Sequence, residues 1–597
     1  MCIKMKKHIG VICVILGMIL FIHHPIITSQ SMAVQGDGLM YYLSKVFWID
    51  SLKGGEFPLW NPFSQIGTPF LADTQQTVLS PFNILYFLFD TTTAFNLTRL
   101  ICLLMAGCFM YLLMYELTKK YVSSAVIGLL FALSTMLSGH RIEHVTIVTT
   151  ICFFPAIFWT IEKFRTCKSR KWLIFTAVLM AFQFLSGFTQ LVLYFDIVIF
   201  FRMIYVLKQT CTRLKEALVL CIKWILLYLL FISCQLLPTI QLILSSGRND
   251  ISWETFAVYG CDLRVLLMML FPSVYFDEFQ AFGLYASSGL DIEIYIGVIC
   301  LVYIFFEAIY CRKEREVRSI GALAVGCFLY AMAPNVPILG RVIYSIPILN
   351  SFRVCARSLP IFVFLIMIIT GIGLAHISDS EDASKIMKVN VALMAFGLFA
   401  MVFWYCVSSQ QVFLNEYADY YKNVRQGIAI SLGLLMIHFI LLCFLEWAKK
   451  RRKIVYMAEI ICGIIGLFII SDVMRFSILY NEQMRPVQTI LNNGLPEEVQ
   501  ALVDKDTEDV YRSFVIMNDP DFFYSTDTFN IAKYGRSISS HNNMYNAWLT
   551  FLDKKLDYWG IKENVFYPHF TEELTENPSL AAMLSIHCIL SAGDYDL

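Results

Sequence analysis

Two aspartates lie in a stretch rich in turn-forming residues. Asp37 stands between two glycines just past the first apolar run, and Asp73 follows Phe70-Leu71-Ala72. Glycine on either side lets the backbone turn sharply and lets a ligand come close. A carboxylate at the water–lipid boundary is partly desolvated, which raises its proton affinity toward that of a useful general base. The plainer alternatives are caps: Asp37 on a helix beginning near Leu39, and Asp73 on a turn through Thr74 and Gln75. Between them lie a candidate amphipathic helix over 39–53 and the run Pro58-Leu59-Trp60-Asn61-Pro62-Phe63. A plain linker needs none of this. The stretch 35–81 reads as a folded element on a membrane surface, with Trp60 and Asn61 as candidate substrate contacts.

Two more loops carry titratable groups. Ser138-Gly139-His140-Arg141-Ile142-Glu143-His144 is short and lies between apolar segments. His140, Arg141 and His144 are candidates for contact with phosphate or sugar hydroxyls. The His-x-x-x-His spacing also admits a metal, although no third ligand is near, and a hydrated hairpin tip is the third reading. In the 334–358 loop, Arg353 and Arg357 are four residues apart, on one face if a helix has begun. Two guanidinium groups there suit a phosphate or pyrophosphate at headgroup depth. Otherwise they snorkel to lipid headgroups. Asp196, inside an apolar run with Arg202 six residues on, is either functional by position or a structural partner to another span.

The elements that must position these residues are membrane helices. Of 597 residues, 58% are hydrophobic and 15% charged, which excludes a soluble enzyme and argues for many spans. Thirteen are expected, near 8–28, 96–117, 122–138, 145–162, 172–187, 189–206, 217–237, 291–310, 319–333, 359–377, 388–408, 427–446 and 454–474. Lys4-Met5-Lys6-Lys7 ahead of an apolar run has the form of a signal sequence, but no A-x-A-like site follows, so a retained first helix is expected. Just over half of the 46 Lys+Arg fall in short loops that alternate along the chain. By the positive-inside rule those loops and the N-terminus are cytoplasmic, and the loops at 29–95, 238–290 and 334–358 are outside. The expected division is a polytopic α-helical membrane domain over 1–474 and a small α/β extracytoplasmic domain over 475–597. The latter has 18 Asp+Glu against 9 Lys+Arg and short alternating runs such as Val510 to Ile516.

Absent motifs narrow the chemistry. There is no GxxxxGK[ST] and no GxGxxG after a strand, so nothing supports a nucleotide or a nucleic acid as partner. The 18 cysteines have no CxxC spacing and read as small apolar residues. No DxD motif is present, so no obligatory metal and no cofactor are expected.

Asp37, the W-N-P-x-x-x-x-G-x-P-F segment from Trp60 to Phe70, Asp73, Ser80-Pro81-Phe82-Asn83, Gly139-His140 and Asn350-Ser351-Phe352-Arg353 occur together and in order. This combination resembles the YfhO family of bacterial membrane proteins and, more distantly, the GT-C class of polytopic glycosyltransferases. Asn542-Asn543-Met544-Tyr545-Asn546 is similar to that family's extracytoplasmic domain. The resemblance implies transfer of sugar from a polyprenyl-phosphate donor to an envelope polymer such as teichoic acid, at the plasma membrane. It implies Asp37 as catalytic base. Two departures are present. The chain stops at Ala592-Gly593-Asp594-Tyr595-Asp596-Leu597, where family members continue through more soluble domain and a last membrane helix. Ser585-Ile586-His587-Cys588-Ile589-Leu590 replaces a Gly-Val-Lys-Tyr type of sequence. The expectation is a short variant or a truncated copy. The rival readings are a flippase for lipid-linked saccharides, for which no internal repeat is found, and a non-catalytic assembly protein.

Overall fold

The structure, a computed structural model, describes residues 2–28, 31–32, 37–61, 68–139, 144–244, 252–257, 260–261, 263–270, 294–378, 380–408, 418–450 and 456–481. It also describes five strand segments beyond residue 484. The longer helices in chain order are α1 Cys2–Ile22, α2 Asp37–Lys53, α3 Thr91–Thr118, α4 Tyr121–Ala132, α5 Phe154–Cys167, α6 Lys171–Leu185 and α7 Thr189–Thr210. They continue with α8 Leu214–Leu244, α9 Val298–Tyr310, α10 Arg315–Ala331, α11 Leu359–Ala375, α12 Ser380–Ser408, α13 Ala418–Lys450 and α14 Met457–Asn481.

Ten helical segments among the described residues are long and apolar enough to cross a membrane. Ten of the thirteen expected spans coincide with these segments. The three at α6, α9 and α10 are helical but only 15, 13 and 17 residues long. The chain is a multi-pass membrane protein. The segments Val145–Cys167 and Cys355–Ala375 form its centre, each 94% buried, whereas Leu214–Leu244 is 22% and Asp382–Cys406 28% buried. Leu226, Leu230 and Phe399 on these outer helices are exposed, as side chains facing hydrocarbon are. Small residues allow close crossings in the centre: a β-carbon on Gly128 of α4 would lie 2.8 Å from Gly107 O of α3.

The intramembrane charges are paired across helices. Arg202 of α7 donates to Glu162 of α5 at 2.5 Å and to Glu316 of α10 at 2.7 Å. Arg165 completes the cluster, bonding Glu162 and Glu316 at 2.7 Å each. Asp196 instead accepts from Tyr228 of α8 at 2.8 Å, the structural partnership with another span.

Strand β1, Ser31–Met32, pairs antiparallel with β2, Arg485–Pro486. The chain leaving α1 and the chain leaving α14 thus meet on one face. Further strands are β3 Arg512–Ile516, parallel to β6 Ile586–Ser591, and β4 Trp559–Lys562, antiparallel to β5 Val565–Pro568. Any helices of the expected α/β domain, and the Asn542–Asn546 segment, lie outside the described residues.

Candidate functional site

The segment between α1 and α3 is folded. Tyr42, Leu43, Phe47, Trp48 and Ile49 of α2 are buried against Phe70, Val78, Tyr86 and Phe95. Polar bonds then fix the turn beyond it. The Lys45 ammonium donates to Asn83 Oδ1 at 2.8 Å and to Thr77 O at 3.1 Å, and it lies 5.7 Å from the Trp48 ring centre. Burial pulls its pKa down to about 7. Asn83 Nδ2 donates to Thr77 O and Val78 O, both at 2.9 Å. Tyr41 donates to Gln75 Oε1 at 3.2 Å, and the Tyr41 and His144 rings meet edge-on at 6.2 Å.

Asp73 begins the 3₁₀ turn Thr74–Gln76, which this stitching holds in place. It is buried, and its carboxylate accepts from Gln75 N at 3.0 Å and from Gln76 Nε2 at 2.8 Å. Its cap role is therefore realised. Helix α8 holds the residues just before it: Thr239 Oγ1 donates to Ala72 O at 2.8 Å, and Gln235 Nε2 donates to Leu71 O.

The start of α7 joins this turn to the arginine loop. Thr74 and Thr189 share a hydroxyl–hydroxyl bond. The next residue, Gln190, donates through Nε2 to Arg353 O at 2.5 Å and to Tyr194 OH at 2.9 Å. Its Oε1 accepts from Arg357 Nη1 at 3.0 Å. The Arg357 guanidinium lies 4.9 Å from the Phe188 ring centre. The arginine loop is strained. Ile348 and Val354 have φ of 76° and 62°, and β-branched residues rarely adopt such values. Strain of this kind persists where packing over-determines the backbone, often at functional sites. Gly187, with φ of 136°, makes the approach possible, because a β-carbon there would lie 2.9 Å from Thr77 Cγ2.

An apolar groove of about 700 Å³ runs along α7 and α10. Its walls include Ile197, Val198, Phe201, Leu323 and Gly326. One end reaches Arg315 and Arg318, and the other reaches Leu349, Ser358 and Tyr194, the last of which accepts from Gln190. The volume is in the range of ligand-holding clefts.

Asp73, Arg353 and Arg357 are thus brought into one polar network, with His144 at its edge through Tyr41. Arg353 and Arg357 are both partly exposed. Asn61 is buried in a backbone bridge with Thr68, at 2.8 Å in each direction. Trp60 beside it is half-exposed, as are Phe57 and Leu59, a grouping suited to the membrane interface. Asp37 is the first residue of α2. His140 and Arg141 lie outside the described residues. Gln190, the residue that joins the network, was not singled out by sequence reasoning; the only signal was the polar break Ser186-Gly187 ahead of it.

No family model matches the chain, and no curated protein matches it in sequence, so the YfhO resemblance stands as a resemblance only. In three dimensions the chain is similar to ArnT from Cupriavidus metallidurans in the apo state. The TM-score is 0.50 at 10% identity, over 96% of this chain and 94% of that one. That likeness shows the fold: the protein has an ArnT-like polytopic helical fold.

Proposed function

We propose that this protein is a membrane glycosyltransferase that moves a sugar from a polyprenyl-phosphate donor to a cell-envelope polymer, a teichoic-acid-like glycan. The network at the start of α7 would face outward on the plasma membrane, opposite the basic loops. The observation that carries the reading is the apolar groove, one end of which is lined by Ser358, next in the chain to Arg357, and by Tyr194, which accepts a hydrogen bond from Gln190. A polyprenyl tail fits such a groove, and the donor phosphate then meets Arg357 and Arg353. The ArnT-like fold supports the class, because ArnT is a GT-C glycosyltransferase.

In this reading Asp37 accepts the proton of the acceptor hydroxyl as its oxygen attacks the anomeric carbon. The bond from that carbon to the phosphate oxygen breaks, and the lipid phosphate leaves. A single displacement inverts the anomeric centre. Lipid phosphate is a fair leaving group, so stabilising its charge by arginine is the main electrostatic need. Asp73 holds the 74–76 turn against Thr189 and orients the acceptor side of the site. His144, His140, Arg141 and Asn61 contact sugar or acceptor, while Trp60 seats the segment in the interface. The region 475–597 is an outer domain that presents the polymer.

The test is reconstituted transfer from radiolabelled polyprenyl-phosphate-sugars to crude envelope polymer. Removing a general base costs about 10²- to 10⁴-fold in rate. Asp37→Ala should therefore insert normally and transfer almost nothing. Wild-type-like transfer by that variant sinks the assignment of the base. Movement of lipid-sugar across vesicles without transfer replaces the reading with the flippase.

A further inference from the structure

The basic-loop end of α9 holds groups that the reading above does not use. Glu307, one turn before the end of this helix, is fully buried, and neither carboxylate oxygen accepts a hydrogen bond from an N–H or O–H among the described residues. The Cys311 thiol is in hydrogen-bond reach of it but is a weak donor, and a buried carboxylate so poorly served is costly. Two side chains face it. Cys311 is four residues on, hence on the same helix face. His376 directly follows α11, and its Nε2 is 3.8 Å from Glu307 Oε1. One carboxylate oxygen, the Cys311 sulfur and a His376 ring nitrogen all lie within 4.8 Å of one another. The helices approach closely here: a β-carbon on Gly373 of α11 would lie 3.2 Å from Glu307 Cγ and 3.0 Å from Tyr303 Cβ. The second ring nitrogen of His376 is engaged from behind, with Nδ1 3.1 Å from Asp382 Oδ2, and Lys385 holds the other Asp382 oxygen at 3.2 Å.

We propose that Glu307, Cys311 and His376 bind a zinc-class divalent cation that fastens the ends of α9, α11 and α12 together. Thiolate, imidazole and carboxylate together suit zinc, and three protein ligands leave a fourth position for water. A carboxylate behind a histidine fixes the tautomer that presents Nε2 to an ion, and Asp382 stands in that place. The 3.8 Å spacing is near the roughly 3.4 Å edge expected for ligands about 2 Å from one tetrahedral ion. Two anionic ligands neutralise a dication, so the buried site carries no net charge. The site lies at the opposite end of α11 from Arg357, away from the proposed transfer site. Cys311 thereby departs from the reading of the cysteines as merely small apolar residues.

The test uses full-length protein in detergent, stripped with chelator and titrated with Co²⁺ and, separately, Zn²⁺. Wild type should take up one ion per chain, with cobalt giving a near-ultraviolet thiolate charge-transfer band. Cys311→Ser should remove that band, while Cys167→Ser, which changes an exposed thiol at the end of α5, should keep it. Asp382→Asn should weaken binding about 10- to 100-fold, and Zn²⁺ should raise the melting temperature of wild type but not of His376→Ala. A wild-type cobalt spectrum without a thiolate band overturns the site, as does a band untouched by Cys311→Ser. Equal binding by His376→Ala leaves only an ion pair between His376 and Glu307. Should Cys311→Ser fail to insert, the wild-type spectrum and Asp382→Asn decide.

Discussion

Helix α7 carries a polar cluster at each end, and the two are built on different principles. At the basic-loop end, Arg202 is 1% exposed and sealed between Glu162 and Glu316, with Arg165 closing the ring. Two arginines and two glutamates balance, so the cluster has no call for a further ion. At the other end, the Arg357 guanidinium meets an amide oxygen and a ring face and remains partly exposed, one residue from Ser358 in the groove wall. A glutamine orients a guanidinium through a single amide oxygen. Closed charge locks helices together, whereas oriented positive charge at the mouth of a groove is what an anionic headgroup needs.

Substitutions can break this contrast, and the largest effect belongs to the closed cluster. Glu162→Ala leaves Arg202 buried with one partner fewer, which costs about 3–5 kcal/mol. Melting in detergent should show it as a sharp loss of folded protein. A variant as stable as wild type would mean that the cluster does not lock α5, α7 and α10. Next comes Gly187→Ala. Its positive φ and the 2.9 Å approach to Thr77 predict a loss of about 1–3 kcal/mol. Because the strain falls between the 74–77 turn and α7, transfer should drop with stability. An unchanged melting curve would show that the two elements do not depend on this contact.

The smallest effect is a pH slope. Burial lowers the Lys45 pKa from 10.5 to about 7, so between those values the unfolded chain binds more protons than the folded one. Stability from this group therefore rises with pH from about 7 to 10.5 and falls as pH is lowered through that window. The carbonyl oxygens around the ammonium favour its charged form and keep the slope modest. Lys45→Met should flatten this part of the melting-temperature profile, and an identical profile would contradict the burial.

The segment between α1 and α3 was legible because its composition departs from that of a linker: paired glycines, aspartates and an aromatic-proline run needed a folded explanation. The arginine loop was legible from two like charges four residues apart. Gln190 was not, because an uncharged amide inside an apolar run gives no signal until its partners, 163 and 167 residues away, are in place. Arg202 was seen only near Asp196 in sequence, yet its partners are 40 and 114 residues distant. Three of the expected spans fall on helices of only 13 to 17 residues, because apolarity alone does not reveal helix length, and α9 starts only at Val298. Glu307 and His376 sit at helix ends among basic loops, where sequence gives no hint that one helix crossing brings them together.

The most direct test measures transfer and melting together for Arg357→Ala, with Arg357→Lys as the conservative variant. If the Thr189 end of α7 binds the donor phosphate, Arg357→Ala loses charge-assisted hydrogen bonds worth about 1.5–3 kcal/mol. Transfer should then fall about 10- to 100-fold, chiefly through KM for the lipid donor. Arg357→Lys should recover part of that loss, and melting should be nearly unchanged. Full transfer by Arg357→Ala in folded protein would contradict the account, because the groove would then end at no functional charge.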